Sequence, residues 1–317
     1  MTTSTTKYLT EMKACAEAIG LGATEYVQPE DKRVKLKGID FHYLDWGNSH
    51  LPPLVLLHGG ALTAHTWDMA ALLLRDKYHI IAPDQRGHGD TGWTPEDQLA
   101  DDNGDLMAKD TEAFIDYLAY PRVILCGMSM GGQNSIRYAA HHADRLGRLV
   151  IVDIAPVTMM QGILEMEAFR KESETLRDFE EVLASAIKFN PARKPEHLRY
   201  SLLHSLKKVP DGYTWKQDHR RRPGFHEEQT EEQREAASKQ RADFMWGEVK
   251  AITTPTLLMR GAESKILSKE SADAVIAALP DAEQVVIPNA GHSVQGDNPK
   301  AFATELHAFI QKRGTGI

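Results

Sequence analysis

The stretch that most constrains this chain is Arg122-Val-Ile-Leu-Cys-Gly-Met-Ser129-Met-Gly-Gly132. Val123 to Cys126 is an apolar run of strand character, and Gln133 to His142 can continue as a helix. Between them stands Gly127-x-Ser129-x-Gly131, so the order is strand, tight turn, helix, with a serine at the apex. A turn this sharp forces the serine into a strained backbone conformation, and side chains two positions before and after it must be nearly absent. Glycine meets that demand at both places. The short pattern arises by chance in many chains; the strand before it and the helix after it make it a candidate nucleophile elbow.

Neighbouring segments repeat the plan. Leu54-Val-Leu-Leu57 is a short apolar strand running into His58-Gly59-Gly60, and residues 61–75 read as a helix. His79-Ile-Ile-Ala-Pro-Asp84 is another buried strand, followed by Gln85-Arg-Gly-His-Gly-Asp90 and a helix expected over 99–118. After the elbow helix, Arg148-Leu-Val-Ile-Val-Asp153 is again apolar and ends in an acid. Strands alternating with helices predict a mostly parallel sheet covered by helices on both faces, an α/β architecture. Chemistry in such sheets gathers at the carboxyl ends of the strands. His58, Asp84, Ser129 and Asp153 all stand at that edge.

The remaining segments frame this core. Residues 7–20 read as an amphipathic helix with Tyr8, Leu9, Met12, Ala16 and Ile19 at helical spacing. They place an N-terminal appendage over 1–32, packed on the main body or on a partner. Residues 33–44 alternate around Gly38 as a hairpin of edge strands. Over 156–250 the strands stop, and helical segments at 164–170, 178–189, 195–206 and 227–244 read as an inserted lid. The sheet resumes at 255–260, with a helix at 268–279, a strand at 283–287 and a closing helix at 299–312. The core is therefore 33–155 together with 251–317.

Composition excludes some classes. A formal net charge of -8 provides no basic field for nucleic acid. No run approaches the ~18 apolar residues of a membrane span, and the first residues lack the basic-then-apolar pattern of a secretory signal. Only two cysteines occur, Cys15 and Cys126. Cys126 lies in a buried strand, so a disulfide is not expected and a reducing, cytoplasmic compartment is the simple reading. No His or Cys group has metal-ligand spacing, so neither metal nor cofactor is expected. The chain is expected to act as a monomer or homodimer.

Four motifs together resemble the α/β-hydrolase superfamily over roughly residues 33–313: His58-Gly-Gly60, Asp84-x-Arg86-Gly-x-Gly89, Gly127-Met-Ser129-Met-Gly131 and Gly291-His292. The match is most similar to lid-bearing esterases, lactonases and carbon–carbon hydrolases. The resemblance implies Ser129 as nucleophile and His292 as base, in the chain order serine, acid, histidine. Chemically, a serine hydroxyl needs a neighbouring base, and imidazole titrates near neutrality. The oxyanion would be held by the amides of Met130 and Gly60. His58 is expected to organise its loop, and Asp84, Arg86 and His88 to form a structural turn.

The acid departs from the pattern. The loop Arg260-Gly-Ala-Glu263-Ser-Lys265 carries a lysine where relatives have an aspartate, and lysine cannot accept the imidazole N–H. Asp153 is the favoured acid and Glu263 the alternative; Lys265 is otherwise the mark of a weakened enzyme. Lid residues Met160, Trp215 and Trp246, with Met159, Phe169, Tyr213, Phe244 and Met245, are candidates for an apolar substrate pocket. Arg220-Arg-Arg222 reads as a solvated face. The expected reaction is hydrolysis of a small carboxylic ester or lactone through an acyl-enzyme. The alternatives are carbon–carbon hydrolysis of a diketone or vinylogous keto acid, and a ligand-sensing protein with weak turnover.

Overall fold

A computed structural model describes residues 3–23, 25–99, 105–173, 178–218, 220 and 230–317. Among them the strands are β1 (Glu30–Leu36), β2 (Ile39–Asp45), β3 (Pro53–Leu57), β4 (His79–Pro83), β5 (Val123–Met128) and β6 (Leu146–Val152). β7 (Leu206–Val209), β8 (Gly212–Trp215), β9 (Thr256–Gly261) and β10 (Ala282–Ile287) follow. Eight of them form one sheet in the order β1-β2-β4-β3-β5-β6-β9-β10. The β1–β2 hairpin and the β2–β4 pair are antiparallel; from β4 to β10 every pair is parallel. The hairpin turns at Lys37-Gly38, both at positive φ. Of the two hairpin strands only β1 is a sheet edge, because β2 is covered by β4.

Consecutive residues of a strand point to opposite faces, so a strand buried on both sides is apolar throughout. Leu54, Leu56, Ile124, Cys126, Val150 and Met259 pack with helices α1 (Thr3–Ala18) and α2 (Asp68–Leu74). Val55, Leu57, Leu125, Ile151 and Leu258 face the other way, toward α3 (Asp105–Leu118) and α4 (Met130–His141). The helix expected over 99–118 thus begins at Asp105, and residues 100–104 lie outside the described ones. The appendage helix α1 packs on the main body: Met12, Cys15 and Ala16 are buried, and Tyr8 donates to Asp68 at 2.8 Å.

Between β6 and β9 come α5 (Met160–Ser173), α6 (Phe179–Phe189), α7 (Pro195–Ser205), the β7–β8 hairpin and α8 (Glu231–Ala251). The hairpin corrects the expectation of a lid without strands. Its four-residue strands are too short to show a period, although Pro210-Asp211-Gly212 is turn chemistry. Trp215 at its end packs with Val182, Leu183, Leu198 and Leu202 in a separate small core. The segment expected as a helix over 227–244 starts at Glu231, capped by Thr230 and Gln233, and 227–229 lie outside the described residues. Its last turns bury Met245 and Val249 against the sheet. The chain closes with α9 (Lys269–Ala278), the short α10 (Val294–Asp297) and α11 (Pro299–Arg313).

The loop after β4 is fixed by buried charge. Asp84 accepts the amides of Ala64 and Asp90 and faces His42 Nδ1 at 2.7 Å. Arg86 makes a two-pronged pair with Asp110, both bonds 2.6 Å. Burial disfavours a charged His42, but hydrogen bonds to Asp31 and Asp84 outweigh it and lift its pKa to about 9. At Asp84 burial pushes the pKa up, but the His42 bond, the electrostatic influence of His58 and His42 and the Asp90 amide together outweigh it and hold that carboxyl well below the usual range. A raised imidazole pKa stabilises the fold fully below 6.5, its ordinary value, and the benefit is lost as pH rises through about 9. The depressed carboxyl pKa acts in the other direction, its contribution being lost as pH falls below its ordinary 3.8. Urea unfolding should therefore show stability falling as pH rises through about 9. His42→Asn should flatten that alkaline fall; an unchanged alkaline profile would contradict this account of the pair.

Candidate active site

Ser129 lies between β5 and α4 at φ 53° and ψ -117°. Its amide donates to Val152 O at 3.0 Å, and its carbonyl accepts from Gln133. A Cβ on Gly131 would come within 2.2 Å of Leu57 O, and one on Gly127 within 2.2 Å of Gly131 O. Both contacts are with backbone, so neither position accepts a side chain. The glycines are thus needed for close packing against β3 and within the turn itself.

The loop after β10 carries His292 to this serine. Its Nε2 lies 2.9 Å from Ser129 Oγ and its Nδ1 2.8 Å from Asp153 Oδ2. A carboxylate only accepts, so the hydrogen-bond pattern assigns the proton to Nδ1 and leaves Nε2 to accept from the serine hydroxyl. Asp153, fully buried just after β6, is itself at φ 52°. Its Oδ1 accepts from the Gly261 amide at 2.9 Å, and its Oδ2 from Ser264 Oγ at 2.5 Å. Ser264 Oγ in turn accepts the amides of Ile266 and Leu267. This hydroxyl was not among the expected site residues. Its only trace in the sequence is a small polar residue in the loop where relatives place their acid.

Among the described residues neither of the two charged members of that loop bonds to His292, whose partners are Ser129 and Asp153. Glu263 is exposed, with its amide bonded to Ala290 O. Lys265 is also exposed and pairs with Glu165 of α5 at 2.7 Å. The lysine therefore belongs to a lid contact, next to the Met159 amide bonded to Ile266 O.

The amides of Met130 and Gly60 meet no backbone acceptor among the described residues, and both residues line the cavity that Ser129 and His292 border. Met130 opens α4, where free N–H groups and the helix dipole favour negative charge. The Gly60 loop is held from behind. His58 Nε2 accepts the Gln85 amide at 2.9 Å and its Nδ1 lies 2.8 Å from Gly59 O, so it is the neutral Nδ1–H tautomer. Complete burial lowers its pKa and favours that form. Gln85 also bonds His58 O and receives Asn134. His58 is thus a loop organiser, and Asp84, Arg86 and His88 are spent on the turn.

The cavity has a volume of about 940 Å³ between sheet edge and lid. Of the expected pocket residues, Met160, Phe169, Trp215 and Met245 line it. Trp246 does not: it packs against the sheet-face core, because the next position on α8 points about 100° away from Met245. Tyr213 packs on Phe179, and Phe244 is exposed beneath Arg137. Arg220 pairs with Asp218 and stacks on Trp93, away from the cavity; Arg221 and Arg222 lie outside the described residues.

A strained serine on a strand-to-helix turn, in a mostly parallel eight-stranded sheet, defines a class. The chain belongs to the alpha/beta hydrolase fold family, whose model matches residues 52–299. Over 296 residues it is 28% identical to Esterase Rv0045c of Mycobacterium tuberculosis, covering 90% of each chain. A crystal structure of that esterase superposes with a TM-score of 0.70 over 95% of this chain and 98% of the other, at 25% identity. The 2-(acetamidomethylene)succinate hydrolase of Mesorhizobium japonicum is 25% identical over 285 residues, covering 88% of this chain and 94% of the relative. A structure titled for E-2-(acetamidomethylene)succinate hydrolase shares the fold with a TM-score of 0.73 at 24% identity, covering 89% of this chain and 99% of that one. These relatives support hydrolase activity. Among the described residues no helix is long and apolar enough to cross a membrane.

The geometry at Ser264 yields a prediction. A hydrogen bond to a charged group contributes roughly 1.5–3 kcal/mol, which corresponds to about 10- to 100-fold in rate. Ser264→Ala should lower kcat by about that factor and leave KM within about twofold. An unchanged kcat would show that the hydroxyl does not position Asp153.

Proposed function

We propose that this chain is a serine hydrolase cleaving a carboxylic ester or lactone through an acyl-enzyme. The observation that carries the reading is His292 standing within hydrogen-bond reach of Ser129 on one ring nitrogen and of a buried carboxylate on the other. Ser129 Oγ attacks the carbonyl carbon while its proton passes to His292 Nε2. Asp153 stabilises the resulting imidazolium and fixes its orientation. The negative charge on the former carbonyl oxygen falls to the Met130 and Gly60 amides, each donor being worth roughly 3 kcal/mol in such sites. Collapse breaks the C–O bond, and Nε2 returns the proton to the leaving alkoxide. Water, deprotonated by the same nitrogen, then releases the acid.

The pocket supports an organic substrate of some size. Its volume is at the upper end of the ~300–1,000 Å³ of small-molecule sites, and Met128, Ile163, Phe169 and Met245 give it apolar walls. The esterase relative favours an ester over a carbon–carbon bond. A weakly active sensor would draw its support from Lys265, and that support is small because the lysine is engaged with Glu165 on the lid. Cys15 and Cys126, both free and buried, fit a reducing compartment.

A fluorophosphonate probe should label the wild type and fail on Ser129→Ala, and a p-nitrophenyl ester series should give turnover that depends on chain length. Asp153→Asn should lower kcat by about 10³–10⁴-fold, whereas Glu263→Gln should stay within about twofold of the wild type. Absence of both labelling and turnover would refute the hydrolase reading, and the reverse order of the two carboxylate variants would refute the acid assignment.

A further inference from the structure

We propose that His65, Asp68 and His204 form a binding site for a transition-metal ion, with Zn²⁺ as its natural test ion, that ties the lid to the core. The three side chains come from separate places. His65 lies in the 3-10 turn Ala64–Trp67 after the oxyanion loop, Asp68 opens α2, and His204 is in the last turn of lid helix α7. One ligand atom from each lies within 4.8 Å of the other two. His65 Nδ1 is 2.9 Å from Asp68 Oδ2, and the two imidazoles stack with centroids 3.8 Å apart. The histidines are far apart in sequence, so no ligand spacing shows there.

Asp68 has the surroundings of a held ligand. It is fully buried, and the hydroxyls of Tyr8 and Tyr200 donate to its Oδ2 at 2.8 and 2.5 Å. Burial first, and Asp68 second, keep both phenols well above their ordinary pKa, so they remain neutral donors. Outer donors of this kind orient ligating carboxylates. The other oxygen, Oδ1, is buried with no hydrogen-bond partner among the described residues, a desolvated acceptor that a cation would satisfy. Nothing in catalysis uses this group.

Two imidazoles and one carboxylate suit Zn²⁺, Cu²⁺ or Ni²⁺, whereas Mg²⁺ and Ca²⁺ prefer shells of oxygen. A common ion has to lie near the plane of both rings, so one ring turns out of the stack on binding. His204 is the one able to turn, since among the described residues it is held by ring contacts with Tyr8, His65 and Tyr200 and by no hydrogen bond. On binding, a neutral His65 moves its ring proton from Nδ1 to Nε2 so that Nδ1 can ligate, and Asp68 meets the ion through Oδ1 while Oδ2 stays with the two tyrosine hydroxyls. The same α7 lines the cavity through Ser201, Leu202 and Ser205, so the ion staples one wall of the substrate pocket to the core.

The test is equilibrium dialysis of the full chain against Zn²⁺, with Mg²⁺ as control, beside thermal unfolding and the visible spectrum of the Co²⁺-loaded protein. We expect one zinc per chain, a Tm rise of roughly 5 °C at a hundredfold excess over Kd, and Co²⁺ bands of a low-coordinate site. His204→Gln should keep the metal-free Tm and bind zinc at least tenfold more weakly, while His292→Asn should bind it as the wild type does. No stoichiometric zinc on the wild type, equal binding by His204→Gln, or loss in His292→Asn instead would overturn the proposal.

Discussion

Ser129 occupies a backbone region that costs a non-glycine residue roughly 1–3 kcal/mol, and the middle of the sheet is built to hold it there. Its amide is bonded across to Val152 O of β6. The helix that follows can approach β3 only because Gly131 has no side chain. The same turn leaves the Met130 amide, at the start of α4, without a backbone acceptor among the described residues. One strand over, Asp153 repeats the device at φ 52°, its amide bonded to Met259 O of β9. Two strained residues on adjacent strand ends thus present a serine hydroxyl and a carboxylate to one side, where His292 from the β10 loop reaches both.

The lid is fastened at the loops that carry His292 and support Asp153. Lys265 and the Ile266 carbonyl hold the start of the lid through Glu165 and the Met159 amide. On the other side, Arg193 and Asn190, between α6 and α7, bond Asp297 Oδ1, while Asp297 Oδ2 accepts the Gly291 amide next to His292. Arg193 fits there because Gly296 has no Cβ: one would lie 2.8 Å from the guanidinium. Lid position and the Ser129–His292–Asp153 geometry therefore share hydrogen-bonded loops. The lysine at the place where relatives carry their acid has become part of that fastening.

Much of this was legible in the sequence for a physical reason. A strand buried on both faces is an apolar run, and the residue just after it falls at the edge where ligands bind, so His58, Asp84, Ser129 and Asp153 could be placed without coordinates. His292 followed from its position after the last strand. The choice between Asp153 and Glu263 was weaker, because it depends on side-chain direction, and the left-handed φ that turns Asp153 inward is not written in its neighbours. Ser264 was missed for the same reason. In the lid, Met245 and Trp246 are adjacent in sequence but point to different places, and the β7–β8 hairpin was hidden in strands too short to show a period. The His65, Asp68 and His204 grouping was invisible because it exists only once α7 is docked.

The most direct measurement is a crystal structure of the enzyme after reaction with a fluorophosphonate, a mimic of the tetrahedral intermediate. Phosphorus is expected bonded to Ser129 Oγ, with the phosphoryl oxygen between the Met130 and Gly60 amides and His292 Nδ1 still on Asp153. An adduct on another residue, or a histidine turned away from Asp153 toward Glu263, would contradict the proposed mechanism.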